Sequence, residues 1–461
     1  MTRACLVLAG GVLLAACDVP AARAPSVPPA RLVVTVAPRG AAADDPVIGL
    51  PAGSRLLVVD RARPGAAPVD LSDGLAAAGD ACVSHDAARI AFVARRSAAS
   101  PWTVWTCRAD GGDRRPAVES ATDCAAPAWL PDGRLVYAAV TDDDVPVPAF
   151  RRAWALFVAA GDGGPGQRIT FGAGLEIDPA VLPDGRIVHA AWRPGAADDA
   201  DGRFALFTVH SDGAGVALFH GPEDAPAVLR RPRSAPDGRV ACVGGTGPEG
   251  DRVLVLDPRW PFGPSSPLEG ATGVRTVLPT ARGGLRIAGP GGAAERASAA
   301  GPLVPLGIAA ADGGVVLAAV DLEASPRPQG HLSIVDPFQR WGQLLAVDAR
   351  FPGAQAAARV RLRHYDGPGP ASTRVLGETP LAADGSFFLR VPPDVPLLVD
   401  LLDASGAVVA ASSTPIWVRP RETRGCIGCH EDPDVAPPNR RPAAVLDEPV
   451  DWSGSKEEAS R

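Results

Sequence analysis

Apolar and polar positions alternate along the chain in a repeated order: a tight turn, an apolar strand, a gap, then a second strand. Four segments carry it: His85-Asp86-Ala87-Ala88-Arg89-Ile90-Ala91-Phe92, Leu130-Pro131-Asp132-Gly133-Arg134-Leu135-Val136-Tyr137, Leu182-Pro183-Asp184-Gly185-Arg186-Ile187-Val188-His189 and Ala235-Pro236-Asp237-Gly238-Arg239-Val240-Ala241-Cys242. Each is a Pro-Asp-Gly type turn entering a strand, although the first keeps only the Asp. Proline presets φ, and Asp and Gly tolerate the dihedrals that follow. A second strand is predicted over 102–107, 154–158, 204–209 and 253–256. The turn Asp residues lie 46, 52 and 53 positions apart. Multi-strand repeats of this length predict propeller blades. The pattern fades after Asp257, but Asp312-Gly313-Gly314-Val315-Val316 and residues 331–335 predict a further blade. A propeller over 51–348 would hold roughly six blades of about 50 residues, with Arg55–Asp60 as the strand that closes the ring. A β-sandwich is the alternative for the same strands.

Beyond this run the spacing changes. Short strands are predicted over 358–364, 387–391, 397–402, 408–411 and 416–418, with hairpin turns at Asp384-Gly385 and Ser405-Gly406. Five or six short strands suit a small β-sandwich-like domain over 349–450, followed by a polar tail over 451–461. The fold class expected is therefore mainly β.

The first residues break the pattern. Arg3 precedes an apolar run over 6–16 that ends in Leu14-Ala15-Ala16-Cys17. The run is too short to span a bilayer and suits a signal peptide over 1–16. Its last residues resemble the bacterial lipoprotein box, which makes Cys17 the lipidated residue and the membrane a partner through that anchor. Residues 17–50, rich in Ala and Pro, are expected to be a tether. The protein is then expected in the cell envelope, on the periplasmic or outer face.

Composition narrows the partners. The chain has 51 Gly and 49 Pro among 461 residues, and 46% hydrophobic residues, enough for a core. With 45 basic against 52 acidic residues the net charge is -7, which argues against nucleic acid, since phosphate binding needs a basic surface. Lys456 and Met1 are the sole residues of their types.

Eight cysteines divide by place. Cys5 leaves with the signal. Cys82, Cys107, Cys124 and Cys242 lie in the repeats. Cys107 and Cys124, 17 residues apart across the link between two repeats, are the disulfide candidates. Such a bridge would contribute roughly 3 kcal/mol, and four buried free thiols are the alternative. His85, His189, His210 and His220 are scattered among the repeats and are expected to be packed or surface residues rather than ligands.

The last pair, Cys426 and Cys429, stands in Cys426-Ile427-Gly428-Cys429-His430. In a C-x-x-C-H sequence two thiols form thioethers with the haem vinyl groups and the His gives its imidazole to iron. One haem c per chain is expected, held by Cys426, Cys429 and His430. A redox dithiol or half a zinc site is the alternative for the same residues. No Met remains after Met1 to complete the iron, so His364 is the candidate second ligand, with His331, Tyr365 and Lys456 behind it.

Gly377-Glu378-Thr379-Pro380, Asp384-Gly385-Ser386-Phe387, Leu401-Leu402-Asp403 and the run from Trp417 through Cys426-Ile427-Gly428-Cys429-His430-Glu431 resemble the middle domain of the hydrazine synthase alpha subunit family. The repeats upstream resemble TolB-type propeller blades. The resemblance spans about residues 80–445, and it implies haem attachment at Cys426 and Cys429 with His430 as proximal ligand. The chain ends 31 residues after His430, so the family's C-terminal cytochrome domain is expected to be lacking, and hydrazine synthesis with it. The expected function is one-electron transfer by a lipid-anchored monohaem cytochrome, with the propeller as docking surface for a redox partner protein. A haem enzyme acting on a small nitrogen compound, or a propeller that senses a ligand, are the alternatives. The protein is expected not to be an enzyme by itself.

Overall fold

The structure is a computed structural model that describes residues 31–43, 45–63, 65–143, 150, 152–193, 202–221, 228–245, 252–257, 259, 263, 265–281, 283–289, 292–296, 301–308, 313–367, 372–412, 414–426 and 439–454. It is almost wholly β, and its strands form eight four-stranded sheets. Six of them are propeller blades. The second blade is Ala77–Val83, Arg89–Arg95, Thr103–Arg108 and Arg115–Pro116; the third is Cys124–Trp129, Leu135–Thr141, Ala153–Ala159 and Gln167–Arg168. The fourth is Glu176–Val181, Ile187–Arg193, Arg203–Val209 and Ala217–His220. The fifth runs from Val228–Ser234 to Ser266–Thr272, and the sixth from Thr276–Pro279 to Val304–Pro305. The first strands of these blades touch in sequence around a ring, which Val315–Asp321 completes by contacting both the sixth and the second blade.

Six blades agree with the repeat count, but the ring begins and ends elsewhere than expected. Val315–Asp321 pairs with Arg31–Ala37, which in turn pairs with Arg55–Asp60. The closing pair is thus built from residues assigned to the tether, and Arg55–Asp60 is only its neighbour. The reason is visible in burial: Leu32, Val33 and Val34 are fully enclosed, as a strand inside a ring must be. Val47, Ile48 and Leu50 also enter the propeller core. Arg230 donates to Pro46 O at 3.4 Å, and Arg152 pairs with Asp45 at 2.6 Å, which pins this segment. Residues 331–335 form no strand. They belong to an extended connector that crosses the propeller face: Ser325 N donates to His85 O at 2.9 Å, Gln329 N to Pro183 O at 3.0 Å and Ile334 N to Asp212 at 3.2 Å. That crossing, rather than a seventh blade, uses up the chain to 341.

Each first strand of the second to fifth blades carries a bulge at the same place. Register shifts fall at Gly79/Cys82, Ala125/Ala128, Ile177/Ala180 and Arg230/Arg233. The bulged residues Asp80, Ala126, Asp178 and Arg231 have φ of 51, 51, 57 and 51 degrees. A bulge re-aims the side chains around it. Asp80 accepts from Ala126 N at 3.0 Å, and Asp178 from Arg231 N at 3.0 Å, so these carboxylates link one blade to the next.

The last two sheets face each other as a sandwich of eight strands, beginning at Gly342 rather than 349. Gly342–Ala346 pairs with Phe387–Val391 and, in parallel, with Thr423–Gly425. Arg359–Tyr365 pairs with Thr373–Pro380 and Leu397–Leu402. Leu344, Val360, Leu362, Leu389 and Val391 fill the space between. Val450–Asp451, placed partly in the tail, adds an edge strand beside Phe387–Val391. No helix among the described residues is long and apolar enough to cross a membrane.

The sandwich docks on the fourth blade. Trp417 Nε1 donates to Gly213 O at 2.9 Å, Glu422 accepts from Gly215 N at 2.9 Å, and Arg193 donates to Thr414 at 2.8 Å. Gly213, with φ +86, lets the backbone of Ile169 come closer than any Cβ would permit.

Candidate functional site

Cys426 follows directly on the sandwich strand Thr423–Gly425, and its amide donates to Leu345 O at 2.6 Å. The sheet edge therefore fixes the backbone at the first residue of the C-x-x-C-H sequence. The Cys426 side chain packs against the sandwich core and lines a cavity between the sandwich and the fourth blade. The cavity holds about 150 Å³. Phe351, Phe387, Val399 and Leu401 line the sandwich side, with Arg424 beside Cys426.

The propeller side is one face of the fourth blade. In antiparallel strands, residues two apart share a face, as do residues directly paired across strands. His189 pairs with Phe207, Ala191 with Ala205, Arg193 with Arg203, and Phe207 with Leu218. Glu176 pairs with Ala191 on the other side. His189, Ala191, Arg193, Phe207, Leu218 and Glu176 thus form one surface, and all six line the cavity.

Two of these are out of place by charge. Glu176 is 2% and His189 0% exposed. Neither ring nitrogen of His189 nor Oε2 of Glu176 has a hydrogen-bond partner. Burial pushes the His189 pKa down to about 3, so its imidazole is neutral. Burial pushes Glu176 up to about 8, and Arg168 nearby offsets only part of this. Most buried polar atoms are paired, so these three stand out at one wall of the cavity.

The repeat shows that the pair is particular to this blade. The slot of Glu176 is taken by Ala78 in the second blade, Cys124 in the third and Leu229 in the fifth. Each pairs with the residue two after the other slot: Ala78 with Ala94, Cys124 with Ala139, Leu229 with Gly244. The slot of His189 is taken by Phe92, Tyr137 and Cys242. All six replacements are 2% exposed or less. The four aligned turn segments end in Phe92, Tyr137, His189 and Cys242, and His189 is the one imidazole among them. The structure places His189 as a packed residue, 0% exposed, as expected for the histidines of the repeats.

Other expected site residues lie elsewhere. His364 is on Arg359–Tyr365 with Nδ1 2.7 Å from Asp366 and does not line the cavity, so the structure does not bring it to Cys426. His331 stacks on His210 with ring centres 4.4 Å apart, on the connector. Tyr365 is buried in the propeller-side core. Cys107 and Cys124 are free: they occupy different blades and different core clusters, so the expected bridge is not made, and Cys82 and Cys242 are free as well. Burial holds the thiols of Cys107 and Cys124 up at about 11. Cys17, Cys429, His430 and Lys456 lie outside the described residues. Among the described residues no group of three or more His, Cys, Asp or Glu could hold a metal ion by itself.

Residues 365–431 match the family model of the hydrazine synthase alpha subunit middle domain. The chain is similar in fold to Kuenenia stuttgartiensis hydrazine synthase, with TM-score 0.77 and 16% identity, over 91% of this chain and 72% of that one. TolB from Acinetobacter baumannii aligns with TM-score 0.41 and 14% identity, over 62% of this chain and 63% of that one. A putative TolB from Agrobacterium tumefaciens gives 0.39 and 19%, over 54% and 93%. No curated protein matches the chain. The resemblance to the hydrazine synthase alpha subunit family is therefore shown, in the middle domain by sequence and over the chain by fold.

Proposed function

We propose that the protein is a monohaem c-type cytochrome of the cell envelope that transfers single electrons, anchored by lipid at Cys17. The observation that carries this reading is the position of Cys426: the first thiol of C-x-x-C-H lines an apolar cavity that also holds orphaned polar atoms. Cys426 and Cys429 would each add a thiol S–H across a haem vinyl group, and His430 would give its imidazole to the iron. The haem supplies a one-electron iron couple when bound.

The chain's own residues fit such a group. Phe351, Phe387, Phe207, Leu218, Val399 and Leu401 give the cavity a largely apolar lining, which lowers the local dielectric. Arg193 and Arg424 are cations in its lining, suited to carboxylates of a ligand. The propeller offers the larger surface for a redox partner protein.

The test is a pyridine haemochrome spectrum of protein made with haem-maturation machinery. One covalent haem per chain is expected, lost in Cys426→Ala. Absence of covalent haem, or haem retained unchanged in that variant, overturns the reading. Processing that depends on Cys17→Ser tests the anchor separately. A haem enzyme acting on a small nitrogen compound is the second reading, favoured by the name of the matched family model. Rapid carbon monoxide binding by the reduced wild-type protein would favour it over electron transfer.

A further inference from the structure

We propose that the centre of the propeller holds a binding site for a small oxyanion, an inorganic phosphate or a short carboxylate, gripped by Arg231 and Arg233 of the fifth blade. The site shares no residue with the Cys426 cavity and does not rest on the haem reading.

The ring itself builds the cavity. Its walls bring together Thr35 of the first blade, Asp80 of the second, Asp178 of the fourth, Arg231 and Arg233 of the fifth and Thr276 of the sixth. Residues from five blades meet only where the innermost strands converge. Val47, Ile48, Gly49 and Leu50 close one end, on a segment that folds back into the propeller core. The space is about 80 Å³. One water takes up roughly 10–15 Å³ of such space. The cavity therefore suits a small polyatomic anion and excludes a large cofactor.

A bulge sets its polar wall. Val228–Ser234 changes register between Arg230 and Arg233, with Arg231 left-handed at φ 51 degrees. Arg230 turns to Asp178 and is 1% exposed, whereas Arg231 and Arg233 both line the cavity. The same bulge position carries Asp80, Ala126 and Asp178 in the other blades, so the long cation is particular to the fifth.

The two guanidinium groups are held differently. Arg231 Nη1 donates to Arg275 O at 2.5 Å and to Thr276 Oγ1 at 3.3 Å. Gly49 lies over this group, and a Cβ there would run into the guanidinium. The covering segment thus leaves room for Arg231 where it could have placed a side chain of its own. Arg233 Nη1 donates to Pro232 O at 3.0 Å, but Nη2 stands 3.7 Å from Asp80, beyond a hydrogen bond. The Arg233 and Asp80 side chains are 20% and 28% exposed, so open space adjoins both.

The carboxylates of the wall are engaged elsewhere. Asp178 meets Arg230 at 2.6 Å and accepts from the Arg231 amide at 3.0 Å. Asp80 accepts from Ala126 N at 3.0 Å, and burial raises its pKa although Arg233 and Arg231 oppose this. Arg275 adds a third cation to the lining and is exposed, which marks the side where a ligand enters. A planar guanidinium matches the paired oxygens of carboxylate and phosphate, which is why the ligand class is an oxyanion.

The experiment uses the full chain. Thermal midpoints are measured in sodium phosphate and in sodium succinate, each against sodium chloride of equal ionic strength, and binding is measured by calorimetry. A bound anion should raise the midpoint with the logarithm of its concentration and saturate at one per chain. Arg233→Ala should weaken the affinity about tenfold or more, because a charge-assisted bond is lost. Arg231→Ala should do the same, and Ala126 shows that the bulge accepts alanine with this backbone. Asp80→Asn should tighten the affinity roughly two- to fivefold by removing a carboxylate that competes for Arg233. Arginines that served the fold alone would not give that gain. Arg134→Ala, on an outer turn, should change nothing. Tighter phosphate binding identifies an inorganic oxyanion and tighter succinate binding a carboxylate, and either supports the site. If neither anion exceeds chloride, or if uptake never saturates and so reflects an adventitious ion only, the proposal is overturned. An unchanged affinity in Arg233→Ala overturns it as well, and both results are independent of whether covalent haem is found.

Discussion

In the second blade Ala78 and Phe92 fill the two linked slots where the fourth blade places Glu176 and His189. The first three strands of the two blades have the same lengths to within a residue, the same bulge and the same antiparallel order. The bulge residues match too: Asp80 in one blade, Asp178 in the other, with φ of 51 and 57 degrees. Yet their surroundings differ. Asp178 meets Arg230 at 2.6 Å with both side chains 3% exposed or less, whereas Arg233 stands 3.7 Å from Asp80, which is partly exposed. Arg230 and the Arg231 amide hold Asp178 below the ordinary carboxylate range against the effect of burial; at Asp80 burial wins and the pKa rises. A repeated backbone therefore does not fix the chemistry of a blade. The backbone supplies equivalent slots, and the neighbour decides whether a slot stores charge, a polar side chain or apolar bulk.

The largest test of that contrast is Asp178→Asn against Asp80→Asn. Removing the fourth-blade carboxylate leaves the Arg230 guanidinium buried without its partner, which costs about 3–5 kcal/mol. Asp80→Asn is expected to stay within about 1 kcal/mol, as for a loose pair near the surface. Urea midpoints with unchanged slopes measure both. The pH dependence has a definite sign. The folded pKa of Asp178 lies below 3.8, so its contribution is complete above 3.8 and is lost as pH falls through the folded value. Asp178→Asn should therefore flatten the acid limb of the stability curve. Equal losses for the two variants would break the contrast.

Next in size is an exchange of slots. Phe92→His puts unpaired ring nitrogens and less apolar surface into the fully buried slot of the second blade, for a loss of about 2–4 kcal/mol. His189→Phe should gain about 1–3 kcal/mol by removing two orphaned nitrogens. Thermal unfolding of the two proteins checks the opposite signs. A loss in both would mean that the His189 ring stabilises the fourth blade as it stands.

The blades were legible because turn chemistry is local. Leu130-Pro131-Asp132-Gly133 and its counterparts announce themselves in a few adjacent residues, and Gly133, Gly185 and Gly238 indeed take φ of 89, 87 and 86 degrees. The closing strand was not legible. Arg31–Ala37 has no turn of its own type, and its partner Val315–Asp321 is nearly 280 residues away, so only ring closure reveals it. The connector failed for a related reason: His331, Leu332 and Ile334 alternate like a strand but bond to single turns of the propeller. At the site, the spacing of Cys426, Cys429 and His430 could be read directly, because covalent attachment needs adjacent residues. The opposite wall needs no such adjacency: His189 and Cys426 line the same cavity although they lie far apart in the sequence.

The same contrast extends to the turns, with smaller effects. Gly133 in the third blade and Gly185 in the fourth both have left-handed backbone, so alanine at either costs about 1–2 kcal/mol. A Cβ at Gly133 meets nothing, whereas at Gly185 it runs into the backbone carbonyl of Gln329 on the connector. Gly185→Ala should thus exceed Gly133→Ala by about 1 kcal/mol or more, since the connector must shift. Smallest of all is Arg134→Ala. Arg134 Nε lies 2.7 Å from Asp132, but the side chains are 42% and 50% exposed. An ion pair so open is worth about 0–1 kcal/mol. The turn itself is held by the Asp132 carboxylate accepting from the Arg134 amide at 3.0 Å, a bond that survives loss of the guanidinium. Arg134→Ala is therefore expected to move the urea midpoint by less than about 0.5 kcal/mol. Asp132→Ala, which removes both bonds, should cost about 1 kcal/mol. If the two variants lose equally, the side-chain pair and not the amide bond fixes the turn, and the reading of these repeats as backbone-determined slots would have to give way.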